Sequence, residues 1–242
     1  MKTIGVILAG GKGTRLFPVT QCTSKQLLPV YDKPMIFYPL STLMLAGIRE
    51  YIIVTSPYYQ SNFRSLLGDG SSLGISIEYI SQPEPNGLAE VFLLAESSLK
   101  NCSVALILGD NLFYGNNLLV QIKKNLNNPG SSLFAYSVSD PSEYGVVDFS
   151  PQGEVISIEE KPLNPKSNYA LTGLYIYDNS VIDKAKNLKL SSRGEYEITD
   201  LNNMYLIEKQ LKIEILGRGI AWFDTGKIDS LYEATSYVKT IQ

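Results

Sequence analysis

Residues 1–18 constrain the fold more than any other stretch of the chain. Thr3-Ile-Gly-Val-Ile-Leu-Ala9 is apolar and largely β-branched, and it runs directly into Gly10-Gly-Lys-Gly-Thr-Arg15-Leu-Phe-Pro18. That pattern predicts a buried strand delivering a tight loop whose backbone can approach a ligand closely. Gly10, Gly11 and Gly13 permit positive φ, so successive N–H groups can converge on an anion. Arg15 adds a planar cationic fork suited to phosphate oxygens. An ordinary strand–turn is the simpler alternative, because Gly-Gly is common turn punctuation. Counting excludes two other phosphate loops. A dinucleotide fingerprint wants a small residue at position 16, where Leu16 stands, and the P-loop pattern counted from Gly5 meets Gly11 rather than lysine after Gly10.

The same alternation continues. Tyr51–Thr55, Ile75–Ile80 and Val104–Leu108 read as further apolar strands, separated by helical segments over 32–47, 60–67 and 88–97. Asp32 is the expected N-cap of the first of these helices, and Pro39 inside it predicts a kink or break. Short strands alternating with helices through position 111 predict a doubly wound α/β sheet, with ligands at the carboxyl ends of its strands. A helix over 118–126 and a strand over 132–138 extend it. From Asp140 the texture changes to strands punctuated by turns (144–149, 153–162, 170–177), which predicts an antiparallel excursion covering one end of the core. Helices over 180–188 and 197–209, a strand over 211–216 and a last helix from Gly226 complete the chain. The expected organisation is a single domain, 1–242, with a soft boundary between a 1–139 core and a 140–242 region.

Composition narrows the chemistry. Hydrophobic residues at 44% are ample for a soluble core, and a net charge of −3 argues against nucleic-acid or membrane-surface partners, which need a basic face. Met1-Lys2 leads straight into a strand, and no apolar stretch approaches the roughly 18 residues of a membrane span. Cys22 and Cys102 make neither a disulfide framework nor a zinc set, so a cytoplasmic location is expected. The chain has no histidine. That removes Ser-His-Asp and Cys-His catalysis and leaves Arg, Lys, carboxylates and a metal.

Candidate groups are individually weak. Asp110 ends an apolar strand, where a carboxylate has no hydrophobic reason to stand, although strand-end aspartates often only cap turns. Asp224 lies beside the turn glycine of Trp222-Phe-Asp-Thr-Gly226, and together the two could hold Mg²⁺. Glu160-Lys161-Pro162 could be a solvated strand end. Arg193-Gly-Glu195-Tyr-Glu197 could be the charged first turn of a helix.

Taken together they are not weak. The segments Leu8–Pro18, Ser24-Lys-Gln-Leu-Leu-Pro29, Tyr31–Met35, Leu40–Ile48, Leu108-Gly-Asp-Asn111, Tyr144-Gly-Val-Val147, Glu159-Glu-Lys-Pro162 and Trp222–Gly226 resemble the glucose-1-phosphate thymidylyltransferases, from residue 3 to about 240. The opening motif is common to sugar nucleotidylyltransferases, whereas the Ser24–Pro29 form and the Gln82–Ala89 loop resemble the thymidylyl branch. The resemblance implies a Rossmann-like, mostly parallel sheet of nucleotidyltransferase type with an inserted antiparallel sugar-binding region. It also implies transfer from dTTP to glucose-1-phosphate, giving dTDP-glucose and pyrophosphate.

Carried over by position, the nucleotide would be held by Leu8, Gly10, Gly11, Gly13, Thr14, Arg15, Gln26, Gln82, Pro85 and Gly87. Gln26 and Gln82 would meet the thymine edge. The sugar phosphate would be held by Asn111, Tyr144, Gly145, Glu160, Lys161, the backbone region of Leu171 and Thr172, Tyr175 and Arg193. Asp110 and Asp224 would hold Mg²⁺, and Arg15, Lys25 and Lys161 would be catalytic. A homo-oligomer is expected. Leu171 stands where valine is often found. Longer members continue past the position of Gln242 with a helical extension that contributes subunit contacts and a regulatory nucleotide site, so feedback through that site is in doubt. The alternatives on the same fold are a uridylyltransferase using UTP and a non-catalytic nucleotide sensor.

Overall fold

Strand β1 (Thr3–Ala9) is the centre of the computed structural model, which describes all residues 1–242. Its side chains alternate between two cores. Ile4 and Val6 point into one, while Ile7 and Ala9 point into the other. A strand buried on both faces has no place for polar alternation, which is why the run is continuously apolar. After the glycine loop come a two-residue hairpin, β2 (Pro29–Val30) and β3 (Lys33–Pro34), then α1 (Phe37–Leu45), β4 (Glu50–Thr55), α2 (Gln60–Leu67) and β5 (Ser76–Ser81). A 3-10 turn at Leu88–Glu90 and two short helices, α3 (Val91–Leu94) and α4 (Glu96–Leu99), lead to β6 (Ser103–Leu108) and β7 (Asn111–Gly115). The chain continues through α5 (Leu118–Asn125), β8 (Ser131–Ser137), β9 (Gly145–Phe149), β10 (Val155–Glu160), β11 (Tyr169–Tyr177), α6 (Val181–Lys186) and α7 (Ile198–Ile207). It ends with β12 (Leu211–Leu216), β13 (Ile220–Asp224) and α8 (Ile228–Ile241).

Nine strands form one sheet. Its continuous path is β10-β9-β11-β6-β1-β4-β5, with β8 pairing β11 and β12. β1 is parallel to β4 and β6, β4 to β5, and β12 to β8, whereas β11 is antiparallel to β6 and β8. Because β11 runs backwards, its first half lies at the same edge as the carboxyl ends of β1 and β6. This is the doubly wound, mostly parallel α/β sheet expected, and it takes strands from both sides of residue 140. No helix is long and apolar enough to cross a membrane.

Three expectations about elements are corrected. The helix expected over 32–47 is only Phe37–Leu45; Asp32 is not its cap, since Ile36 holds that position and Lys33–Pro34 pairs as a strand. Pro39 is then the third helical residue, in the first turn, where an N–H has no intrahelical partner to lose, so neither kink nor break is needed. The single helix expected over 88–97 is divided into a 3-10 turn and two four-residue helices. β7 and β13 were not expected at all. They form a separate antiparallel ribbon whose register sets Asp224 opposite Asn111.

Candidate functional site

A cleft of about 320 Å³ opens where β1, β6 and the first half of β11 meet. The glycine loop forms one wall. Gly10 and Gly11 line the cleft, but neither has positive φ; only Gly13 does, at φ 65°, where it turns the chain into the 3-10 helix Thr14–Leu16. Buried Leu16 and the Thr20 hydroxyl, which donates to the Gly13 carbonyl at 2.8 Å, pin the loop. Gly13 and Thr14 lie outside the cleft lining, and Arg15 reaches into it with half of its side chain exposed.

Asp110 follows β6 and is buried with the Lys25 ammonium paired to it. Burial alone would raise its pKa. The Lys25 charge and hydrogen bond, with the Asn111 amide, outweigh that and hold it below the ordinary carboxylate range. The β7–β13 ribbon brings Asp224 to the same place. Thr225 fixes the junction, its N–H and Oγ1 both donating to the Asp110 carbonyl, at 3.0 and 2.7 Å. Asp224 accepts from the Gly226 N–H at 3.1 Å. Its pKa is raised by burial and then by the Asp110 charge, against the opposing pull of Lys25 and Arg15. Two acidic groups held together in this way fit a hard divalent cation. No cluster of three acidic or sulfur ligands completes an all-protein cage, so the donor set suits an ion that keeps waters or substrate phosphates in its shell.

The opposite wall is built on β9, β10 and β11. Glu160 accepts from the buried Thr199 hydroxyl at 2.5 Å and faces Arg193 at 3.4 Å and Lys161 at 3.9 Å. Lys161 has a left-handed backbone, φ 43°, which is costly for a side-chain residue and typical of functional turns. Arg193 is held by Glu197 through Nε at 3.0 Å and NH2 at 2.7 Å. Tyr144 packs edge-on to Trp222 at 5.3 Å, and its phenol is pushed up to about 12 by burial and then by Asp224. Gly145, Leu171 and Tyr175 line the floor. Burial also raises the Tyr175 phenol.

The side chains of Thr172 and Asn111 are engaged within the fold. Thr172 is fully buried and turns away from the cleft, its hydroxyl donating to the Phe134 carbonyl at 2.9 Å, because side chains alternate along β11 and Leu171 takes the cleft side. Asn111 lines the cleft, but its oxygen is fully engaged, accepting from the Gly173 N–H at 3.0 Å and the Trp222 indole at 2.6 Å.

At the far end Leu8, Gln26, Gln82, Pro85 and Gly87 line the wall. Gly87 has φ 106°, and a Cβ there would lie 2.4 Å from the Tyr196 carbonyl oxygen, so the glycine is demanded first by the Tyr196 backbone against it. Sequence reasoning missed Glu143, which accepts from Arg15 at 3.3 Å and Lys227 at 2.5 Å, although it adjoins the quoted Tyr144. Trp222 was quoted within a motif but given no role. Leu88, Leu108 and Glu195 lie in quoted segments but were likewise given no role, and Gly173 and Ile198 complete the lining.

The chain is similar to known proteins. The family described as nucleotidyl transferase matches residues 4–240. A glucose-1-phosphate thymidylyltransferase of Neisseria meningitidis is 55% identical over 239 residues, covering 98% of this chain and 83% of that one. One of Mycobacterium tuberculosis is 54% identical over 238 residues, with the same coverage. A Bacillus anthracis crystal structure provisionally assigned as a glucose-1-phosphate thymidylyltransferase, in complex with a sucrose, superposes with a TM-score of 0.90 at 38% identity. It covers 99% of this chain and 96% of that one. A UDP-glucose pyrophosphorylase complexed with UDP-glucose shares the fold, with a TM-score of 0.85 at 24% identity over the full length of both chains.

Proposed function

This chain belongs to the nucleotidyl transferase family and, within it, to the glucose-1-phosphate thymidylyltransferases, and we infer from that membership and its cleft that it converts dTTP and glucose-1-phosphate into dTDP-glucose and pyrophosphate. The observation that carries the reading is the meeting of Asp110 and Asp224 in the cleft that also holds Arg15, Lys25, Lys161 and Arg193. Few reactions need one buried and one half-buried carboxylate beside four cations with no histidine. Joining two phosphate anions is one that does.

The glycine loop and Arg15 receive the triphosphate, with Lys25 beside it, and Gln26 and Gln82 meet the base. Glu160 accepts from sugar hydroxyls over a floor of Gly145, Leu171 and Tyr175, while Lys161 and Arg193 take the sugar phosphate. The 140–242 region is thus the sugar-binding part of a single domain. The family generally uses a divalent metal. We assign Mg²⁺ to Asp110 and Asp224, where it supplies charge neutralisation of the phosphates when bound. A phosphate oxygen of the sugar attacks the α-phosphorus in line, a P–O bond forms, and the bond to the β-phosphate oxygen breaks to release pyrophosphate. The nucleophile is already an anion, so no general base is required. Catalysis is alignment plus cationic stabilisation by Arg15 and Lys161. A cytoplasmic homo-oligomer is the form in which we expect it to act.

The test is dTDP-glucose formation from dTTP, glucose-1-phosphate and Mg²⁺ by wild type, Arg15→Ala and Asp110→Asn. Losing one such group commonly costs on the order of 10²–10³ in rate. Wild-type turnover in either folded variant would overturn the assignment.

A further inference from the structure

Gln82, at the base end of the cleft, is not free to present either end of its amide. Gln82 donates through Nε2 to the Glu90 carboxylate at 2.7 Å and to the Gly87 carbonyl at 3.2 Å. Its Oε1 therefore faces the glycine loop, 3.0 Å from where a Cβ on Gly10 would stand. Glu90 also accepts from the Asn86 amide on its other oxygen, at 2.9 Å. A carboxylate accepts on both oxygens and donates on neither, so it forces both amide nitrogens toward itself. Gln26 is not held in this way, because its amide meets the buried Ser24 hydroxyl at 2.6 Å and a hydroxyl can donate or accept.

We propose that Glu90 is a positioning residue that sets the base specificity of the enzyme by locking Gln82 as an acceptor. The inference rests on the dTTP-dependent reading above. An acceptor complements the N3–H of the imide edge that thymine and uracil share. Cytosine carries an unprotonated N3 in its place and meets acceptor with acceptor. A site built to hydrogen-bond one edge rejects the other strongly, because both partners are left unpaired out of water. Glu90 need not touch the nucleotide for this to operate.

Substituting Glu90→Gln leaves a single acceptor for two amide donors, so Gln82 can turn its Nε2 into the cleft. The mismatch with cytosine N3 is then removed. Glu90→Ala releases Gln82 in the same manner. The measurement is kcat/KM for dTTP, UTP and CTP with glucose-1-phosphate and Mg²⁺, in wild type, Glu90→Gln and Glu90→Ala. The expected result is a rise of about tenfold in the CTP-to-dTTP ratio for each variant, the loss of one unpaired buried group. The UTP-to-dTTP ratio stays at the wild-type value, since the two bases share the edge. A merely structural role would move both ratios together or neither. CTP ratios within twofold of wild type in folded, active variants overturn the proposal, as does an equal rise for UTP and CTP. If one single variant does not fold, the other decides by the same ratio. Wild-type protein that turns over no dTTP would overturn the underlying reading, whereas an active wild type with unmoved ratios overturns this inference alone.

Discussion

Gly226→Ala separates catalytic positioning from stability at one atom. Gly226 lies just after Asp224, outside the left-handed region of backbone space, so alanine adopts its conformation without strain. The added Cβ would stand 2.8 Å from the Arg15 NH2 and 3.0 Å from the Asp224 Oδ1. Ordinary contact begins near 3.4 Å, so the guanidinium must retreat by about 0.6 Å and the carboxylate by about 0.4 Å, as the shortfalls from that contact distance. Arg15 is half exposed and can swing outward at little cost. The change in stability is therefore small, within about 1 kcal/mol and no more than 2–4 °C in Tm for a chain of this size. The cationic fork, by contrast, no longer sits where the triphosphate needs it, and a displacement approaching 1 Å can cost on the order of 10²-fold in rate. Thermal unfolding and steady-state turnover on the same preparation give the two readings. An unchanged Tm with unchanged kcat/KM would show that the Arg15 position is not set by Gly226 and refute the reasoning.

The acidic pair makes a second prediction. Asp224 has a raised pKa through burial and the neighbouring Asp110 charge, so Asp224→Asn relieves a repulsion and raises Tm in metal-free buffer while lowering turnover by on the order of 10²-fold or more; a lower Tm would contradict it. Acid stability gives a third. Burial alone would raise the Glu197 pKa, but hydrogen bonds from Arg193 and Ser191 depress it overall. A depressed folded-state pKa contributes stability that is complete above the unfolded carboxylate value and is lost as pH falls through the folded one. Glu197→Gln is accordingly expected to flatten the fall of Tm below the ordinary carboxylate range, a difference that disappears if the pair is not coupled to folding.

What the sequence made legible follows from physical locality. β1, β4 and β6 were readable because central strands of a doubly wound sheet are buried on both faces and leave continuous apolar runs. The glycine loop and Asp110 were readable because each sits at the end of such a run. The contact between Asp110 and Asp224 was not, because it depends on the β7–β13 register and on two hydrogen bonds from Thr225 across the chain. β7 escaped notice for the related reason that Asn111 and Gly115 bound five residues beside a turn signal. Pro39 misled because its effect depends on where the helix begins, a boundary set by the hairpin before it. Glu143 gave no signal beyond standing next to Tyr144.

The central claim is that two anions are joined in one in-line step by a chain that supplies no base and forms no covalent intermediate. The stereochemistry at the α-phosphorus tests it most directly. With a single diastereomer of α-thio-dTTP, glucose-1-phosphate and Mg²⁺, the account predicts dTDP-glucose analogue with inverted configuration at phosphorus. Retention would require two successive displacements through a thymidylylated side chain, and would contradict the account.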